Sequence, residues 1–500
     1  MRGRLIWHAL ALLAACLPAL ARAEGEPAAT FAGQTVIGVR EADGVASFRG
    51  IAYARPPLGP LRWMPPQPLA DRTGTVDASR FAPACPQGEG NARWYRRVAQ
   101  AMGADPALVP PLSQISEDCL YLNVWTPQPG AGARLPVMVW IHGGSNENGY
   151  PHEPNYRGGV LARQDVVVVS IGYRLGLLGF FAHPALGADA SGRQGLLDQI
   201  AALRWVKAHI AAFGGDPARV TLFGESAGGT DIALLAAMPA ARRLFARAII
   251  ESGYLAPDGV TDLPAARRFG AGLFDPAITA ERLRALTWQD LIALQDRKLP
   301  GHFHTPVAPA PRRAYVPLLI GSNADEYRMY LPSDEAGLRA ALVEELRGLS
   351  RRKALQVRRW AARQSRDLVG QVDAVSSAKA FHCPAARMAT ATAGASQPVH
   401  VYRFARVRPG GHGLGAYHGA EIPYVFGTDD AWLPAAQEDA ALSRQMQQYW
   451  LGFARTGDPN GPGLPRWRQW TSVASPIQTL GGRSTPDIKP AQPPCALLDR

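Results

Sequence analysis

Cysteine is scarce in this chain of 500 residues: there are five, and one of them, Cys16, lies in the apolar N-terminus. The other four, Cys85, Cys119, Cys383 and Cys495, are too few and too dispersed for a disulfide-dense scaffold. No Cys/His spacing matches a zinc site, so no metal and no cofactor is expected. Their spacing favours a local Cys85–Cys119 bridge and a Cys383–Cys495 bridge that pins the C-terminal tail, provided the chain is exported. His302 and His304 lie close together, but in a Pro-rich loop, 300–311, where exposure rather than metal binding is expected. Long apolar runs are also missing. After residue 23 no stretch reaches the roughly 20 apolar residues that a membrane-spanning helix needs. No internal repeat and no linker divides the chain, so 24–500 is expected to fold as one domain. Acidic residues are outnumbered, with 41 Asp and Glu against 53 Lys and Arg, a formal charge of +12. Without Arg2, Arg4 and Arg22 the charge is +9, since residues 1–23 hold no acid. Much of the excess lies in Arg347, Arg351, Arg352, Lys353, Arg358, Arg359, Arg363 and Arg366. No aromatic or Gly-rich recognition pattern is interleaved there, so a solvated helical face is expected and no nucleic-acid partner. Composition points to no particular oligomeric state.

What the N-terminus does contain is a secretory signal pattern. Arg2 and Arg4 precede an apolar run from Leu5 to Leu20, and Ala21-Arg22-Ala23 offers a small-x-small cleavage site. Secretion or export to a periplasm follows as the expectation. Leu13-Ala14-Ala15-Cys16 is similar to a lipoprotein box, which makes a lipid anchor on Cys16 the minority alternative, because Leu17–Leu20 continues the apolar core.

The central part alternates β-rich runs with helical patterns. Leu135–Ile141, Val166–Ile171, Val220–Phe223, Ala248–Ile250, Val316–Ile320 and Val399–Phe404 read as buried strands. Leu196, Ile200, Leu203, Val206, Ile210 and Phe213 recur at spacings of three and four, and Gly214-Gly215 ends that helix. Alternation of this kind implies an α/β fold, a mostly parallel sheet with helices on both faces, whose ligands gather at the carboxyl ends of the strands.

Four such strand ends carry reactive residue types. Gly224-Glu225-Ser226-Ala227-Gly228 stands between an apolar strand and a helical run, the strand–turn–helix of a nucleophile elbow that lifts the Ser226 hydroxyl clear of the sheet. His142-Gly143-Gly144-Ser145 follows Leu135–Ile141, and the N–H groups of Gly144, Ser145 and Ala227 form a candidate oxyanion hole. A serine nucleophile needs a base and an orienting acid. Glu326 and Asp325 both follow one strand, and His418 and His412 both follow the last, and spacing alone leaves each choice open. The order Ser, acid, His is that of the α/β-hydrolases.

These segments together resemble the type-B carboxylesterase/lipase family, the relatives of cholinesterases. Phe48–Pro57, Ser116–Val124, Phe213–Pro217, Phe223–Gly229 and His418–Gly427 are similar to its motifs and stand in the same order across nearly the whole mature chain. The resemblance implies an α/β-hydrolase fold and hydrolysis of small-molecule carboxylic esters through an acyl-enzyme. It selects Glu326 as the acid and His418 as the base. It also implies a buried Arg49–Glu117 ion pair and supports both disulfides. Glu225 is a candidate for tuning the site, with polar support of the turn as its alternative role. Three positions depart from the family pattern. Ser145 replaces a third glycine and Asn146 an aromatic, so that a side chain is expected on the acyl side. Tyr327 replaces a glycine after the acid, which bears on how Glu326 reaches His418. The stretch from Ala256 to Pro317 is short and lacks a Pro-Val-x-Asp-Gly segment, so an unusual pocket wall is expected. A silent binding protein on the same fold, or a hydrolase of lactones, thioesters, amides or long-chain lipid esters, remain alternative readings.

Overall fold

Residues 25–498 are described by a computed structural model, apart from 71–72, 113, 188–190, 254, 256–260, 300–303, 472 and 483–493. The signal sequence, Cys16 and His302 therefore lie outside the described residues. Among the described residues thirteen strands follow in chain order: β1 Ala28–Phe31, β2 Gln34–Ile37, β3 Val39–Arg40, β4 Ala46–Ala52, β5 Gly74–Asp77, β6 Tyr121–Thr126, β7 Leu135–Ile141, β8 Val167–Ile171, β9 Gly215–Glu225, β10 Arg247–Glu251, β11 Leu318–Asn323, β12 Val399–Phe404 and β13 Gln478–Leu480. β1, β2 and β5 form a small separate sheet. The remaining ten are ordered β13-β12-β11-β10-β9-β7-β8-β6-β4-β3. From β8 to β13 all neighbours run parallel, and the edge strands β6, β4 and β3 join antiparallel.

The six strands read from the sequence lie within or overlap β7 to β12, with β9 extending further at both ends than Val220–Phe223. They read as continuous apolar runs because both faces are covered. Alternate residues divide between two cores: Val137, Val139 and Ile141 enter one, and Met138 and Trp140 the other. The first core is covered by the helices Gln194–His209, Ala227–Ala237 and Cys383–Ala393. The second is covered by Gln437–Thr456 through Met446, Tyr449, Trp450 and Phe453. The helix expected through Phe213 becomes a 3-10 turn at Ile210–Phe213 and stops at Gly214, whose φ of 86° is left-handed.

Two segments outside the sheet flank the site. Three short helices at Leu263–Ala271, Ala280–Ala285 and Trp288–Lys298 pack around Trp63, Leu177 and Phe181 within the stretch expected to be an unusual wall. Between β11 and β12 the helices Glu335–Glu345, Arg351–Gln364 and Leu368–Ser377 share a core of Leu338, Leu342, Val357, Trp360 and Val372. The structure joins Cys85 to Cys119 and Cys383 to Cys495, the latter closing over the short helix Cys495–Leu498.

One expected contact is absent. Arg49 does not meet Glu117; its Nη2 donates to Glu41 Oε1 at 3.1 Å, and its guanidinium lies 4.9 Å from the Phe81 ring centroid. Glu117 is held bidentately by Arg62, through Nε at 2.7 Å and through a second, shorter bond from Nη2. Arg62 also donates to the carbonyls of Arg284 and Leu286. The register of β4 shifts between Phe48 and Ile51, and Arg49 stays partly exposed, whereas Arg62 is buried just after the turn Gly59–Leu61. With arginines at 49, 55 and 62, the pairing is a matter of backbone path.

Candidate active site

β9 ends at Glu225 and the helix Ala227–Ala237 begins two residues later, which confines Ser226 to a single-residue turn. Its φ of 56° and ψ of −123° are left-handed and strained for a residue with a side chain. The turn closes tightly against β7: a Cβ on Gly228 would lie 2.0 Å from the Ile141 carbonyl. Ser226 N donates to Glu251 O, and Thr230 N donates to Ser226 O, which hold the strained turn from both sides.

From this position Ser226 Oγ lies 2.8 Å from His418 Nε2. His418 Nδ1 donates to Glu326 Oε2 at 2.6 Å, and the other Glu326 oxygen accepts from Asn323 N at 2.6 Å. Asp325 faces a different group: its Oδ2 accepts from Ala416 N, two residues before His418, at 2.8 Å. His412 lies in the turn Gly411–Gly413. Tyr327 has an ordinary φ of −94°, so the position needs no glycine, and Glu326 reaches His418 unhindered. Tyr327 N is taken up by Asp373 and Ser377 instead.

The candidate oxyanion segment is also left-handed, with φ of 100° at Gly144, 58° at Ser145 and 56° at Asn146. At Gly144 a Cβ would meet the Asn148 carbonyl at 2.2 Å. Ala227 opens its helix, so its N–H has no intrahelical acceptor. Asn146 is fully buried, and its amide donates to Asp231 Oδ1 at 3.4 Å and to His304 O at 3.2 Å. His304 N donates in turn to Ser145 O. This overturns the expectation of an exposed His304. Its backbone is laced onto the oxyanion segment, and the residue is buried.

Three further carboxylates crowd the pair, and sequence reasoning had drawn attention only to Glu225. Its Oε1 lies 3.2 Å from His418 Nε2, so that it forms an ion pair with a protonated ring. Glu421 accepts from Ser252 Oγ at 3.1 Å and from Asn323 Nδ2 at 2.5 Å. Glu251 accepts from Trp450 Nε1 at 2.9 Å. Burial, followed by neighbouring carboxylates, raises the proton affinity of all three, with Glu225 at about 8 and Glu421 at about 7. For His418 burial pulls downward, but Glu225, Glu326 and Glu421 outweigh it and raise the ring to about 9. Asn323 was also missed: it bonds Glu326, Glu421 and the Tyr417 carbonyl at once. The available signal was Glu421, three residues beyond His418 at the N-cap of the helix Ile422–Phe426. Rings of Phe381 and Tyr330 lie 5.1 and 6.2 Å from the His418 ring, and Trp94 Nε1 donates to the Tyr330 hydroxyl. Among the described residues no group of three or more His, Cys, Asp or Glu is placed to hold a metal, and no helix is long and apolar enough to cross a membrane.

A profile of the Carboxylesterase family matches residues 28–494. The chain is 34% identical over 472 residues to a cocaine esterase of Oryctolagus cuniculus, covering 85% of each chain. It is 34% identical over 476 residues to a fumonisin B1 esterase of Sphingopyxis macrogoltabida, covering 88% of this chain and 84% of the other. A para-nitrobenzyl esterase of Bacillus subtilis (strain 168) is 34% identical over 447 residues, with 84% and 88% covered. A solved structure of a PNB esterase superimposes with a TM-score of 0.77 at 33% identity, over 91% of this chain and 96% of that one.

Proposed function

We propose, from the premise that this chain belongs to the carboxylesterase family and hydrolyses carboxylic esters as a serine hydrolase, that Ser226, His418 and Glu326 carry the reaction. The observation that supports this is the continuous Ser226–His418–Glu326 chain of short hydrogen bonds at the end of the elbow. His418 Nε2 takes the Ser226 proton as Oγ attacks the ester carbonyl. The oxyanion that forms is held by the N–H groups of Gly144, Ser145 and Ala227, each donor contributing about 3 kcal/mol to lowering the barrier. His418 then passes its proton to the departing alcohol. Water, deprotonated by the same ring, releases the acid and restores Ser226. Glu326 keeps the Nδ1 proton in place and offsets the charge on the imidazolium. The rings of Phe381 and Tyr330 beside His418 support an apolar group next to the reacting carbonyl. The substrate class is a small-molecule ester, and short against long p-nitrophenyl esters will separate an esterase from a lipase preference.

Export is part of the same reading: the signal pattern of residues 1–23 and two disulfides support secretion or a periplasmic location.

Turnover of p-nitrophenyl esters by the mature protein and by Ser226→Ala tests the assignment. Loss of at least about 10³-fold in kcat with the fold retained is expected. Residual turnover close to wild type would rule out Ser226 as the nucleophile.

A further inference from the structure

The helix Arg351–Gln364 turns Val357, Trp360 and Ala361 into the protein. On its other side Leu355 is 49% exposed. Its four neighbours on the helix surface, at i−4, i−3, i+3 and i+4, are Arg351, Arg352, Arg358 and Arg359, all exposed. An apolar side chain thus stands in the middle of four guanidinium groups.

Nothing nearby in the described residues neutralises them. Ion pairs between described residues of this region join Arg339 to Glu335, Arg347 to Glu344 and Lys379 to Glu345, none of them on these four arginines, and from Leu346 to Arg366 the chain contains no Asp or Glu. Arg351, Arg352 and Lys353 also occupy the first helical turn, the end where the helix dipole disfavours cations. The arrangement carries mutual repulsion and an unfavourable dipole interaction, and an exposed leucine adds no internal packing in return. An external anionic surface relieves the first two, and an apolar phase behind that surface accommodates the third. Val343, 58% exposed on the preceding helix Glu335–Glu345, is a second aliphatic residue facing solvent in the same insertion.

We propose that this face docks on an anionic phospholipid bilayer, with Arg351, Arg352, Arg358 and Arg359 holding lipid phosphates and Leu355 entering the acyl boundary. Charge alone would fit a soluble polyanion equally well; the central leucine is what selects a bilayer. The docking face belongs to the insertion between β11 and β12, which begins at Tyr327 and Tyr330 beside His418 and returns through Phe381. A docked enzyme would therefore work at a membrane surface without a spanning segment.

Cosedimentation of the mature protein with vesicles of phosphatidylcholine and phosphatidylglycerol, beside pure phosphatidylcholine vesicles and a vesicle-free control, tests this. Binding to the anionic vesicles alone, lost at high salt, is expected. Arg352→Gln and Arg359→Gln should each weaken it by about fivefold. Leu355→Gln should weaken it by about tenfold while leaving retention on immobilised heparin unchanged. Turnover of a soluble p-nitrophenyl ester should stay at the wild-type level in all three, since none touches the reacting groups. Absence of binding at low salt overturns the proposal. So does vesicle binding that Leu355→Gln leaves intact, which would identify a general polyanion surface. Pelleting without vesicles would assign the face to self-association and overturn it as well.

Discussion

At the scale of single residues, the position of Glu225 has a measurable consequence. Its carboxylate lies 3.2 Å from the Nε2 atom proposed to take the serine proton, and it is among the groups that raise the proton affinity of His418. Only a neutral ring can accept a proton from Ser226, so with His418 as the proposed base turnover is expected to fall as pH drops through the His418 titration. Glu225→Gln removes an anion that stabilises the imidazolium, which lowers the ring's proton affinity and keeps the base neutral to lower pH. The acid limb of the kcat/KM profile is therefore expected to move down by about one pH unit. An unmoved limb would mean that Glu225 supports the turn and does not tune the base. The same scale explains how a departure from the family pattern is accommodated. Asn146 adopts the left-handed backbone that the oxyanion segment requires, a conformation asparagine tolerates better than most residues. Its amide is spent on Asp231 and His304.

At the scale of elements, the two arginines of the opening segment separate in their energetics. The side chains of Arg62 and Glu117 are largely buried, 9% and 10% exposed, and Arg62 Nη1 donates to two carbonyls. Glu117→Ala strands a buried guanidinium and is expected to cost about 3–5 kcal/mol of stability. Arg49→Gln removes a partly exposed pair and is expected to cost about 1 kcal/mol or less. Urea midpoints of the two variants measure the contrast; equal costs would contradict it. The arginines are thirteen residues apart, Arg49 within Phe48–Pro57 and Arg62 five residues past its end, and the sequence contains nothing that says which will meet Glu117. That decision belongs to the β4 irregularity and the turn that follows it.

At the scale of the whole molecule, the Cys383–Cys495 bridge spans 112 residues and ties the short C-terminal helix to the core of the β11–β12 insertion, where Leu498 is buried. The loop it closes includes β12, His418 and the helix Gln437–Thr456. Replacing both cysteines by serine is expected to destabilise the protein by about 2–5 kcal/mol, chiefly by freeing the unfolded chain. A urea midpoint unchanged from wild type would show that packing alone holds the tail.

The sequence by itself determined the strands β7 to β12, because a sheet buried on both faces leaves short, continuous, β-branched-rich apolar runs that alternate with helical patterns. It also determined the elbow at Ser226, since a strand–turn–helix signature is local in the chain, whereas the preference for Glu326 over Asp325 and for His418 over His412 came from the family resemblance. The tertiary structure alone decided which distant groups meet. It sets Glu251 and Glu421 beside Glu225, makes Asn323 the common partner of acid and histidine loop, buries His304 and gives Glu117 to Arg62. Those contacts join residues up to hundreds of positions apart, and each depends on the path of the intervening backbone rather than on any periodicity in the residues themselves.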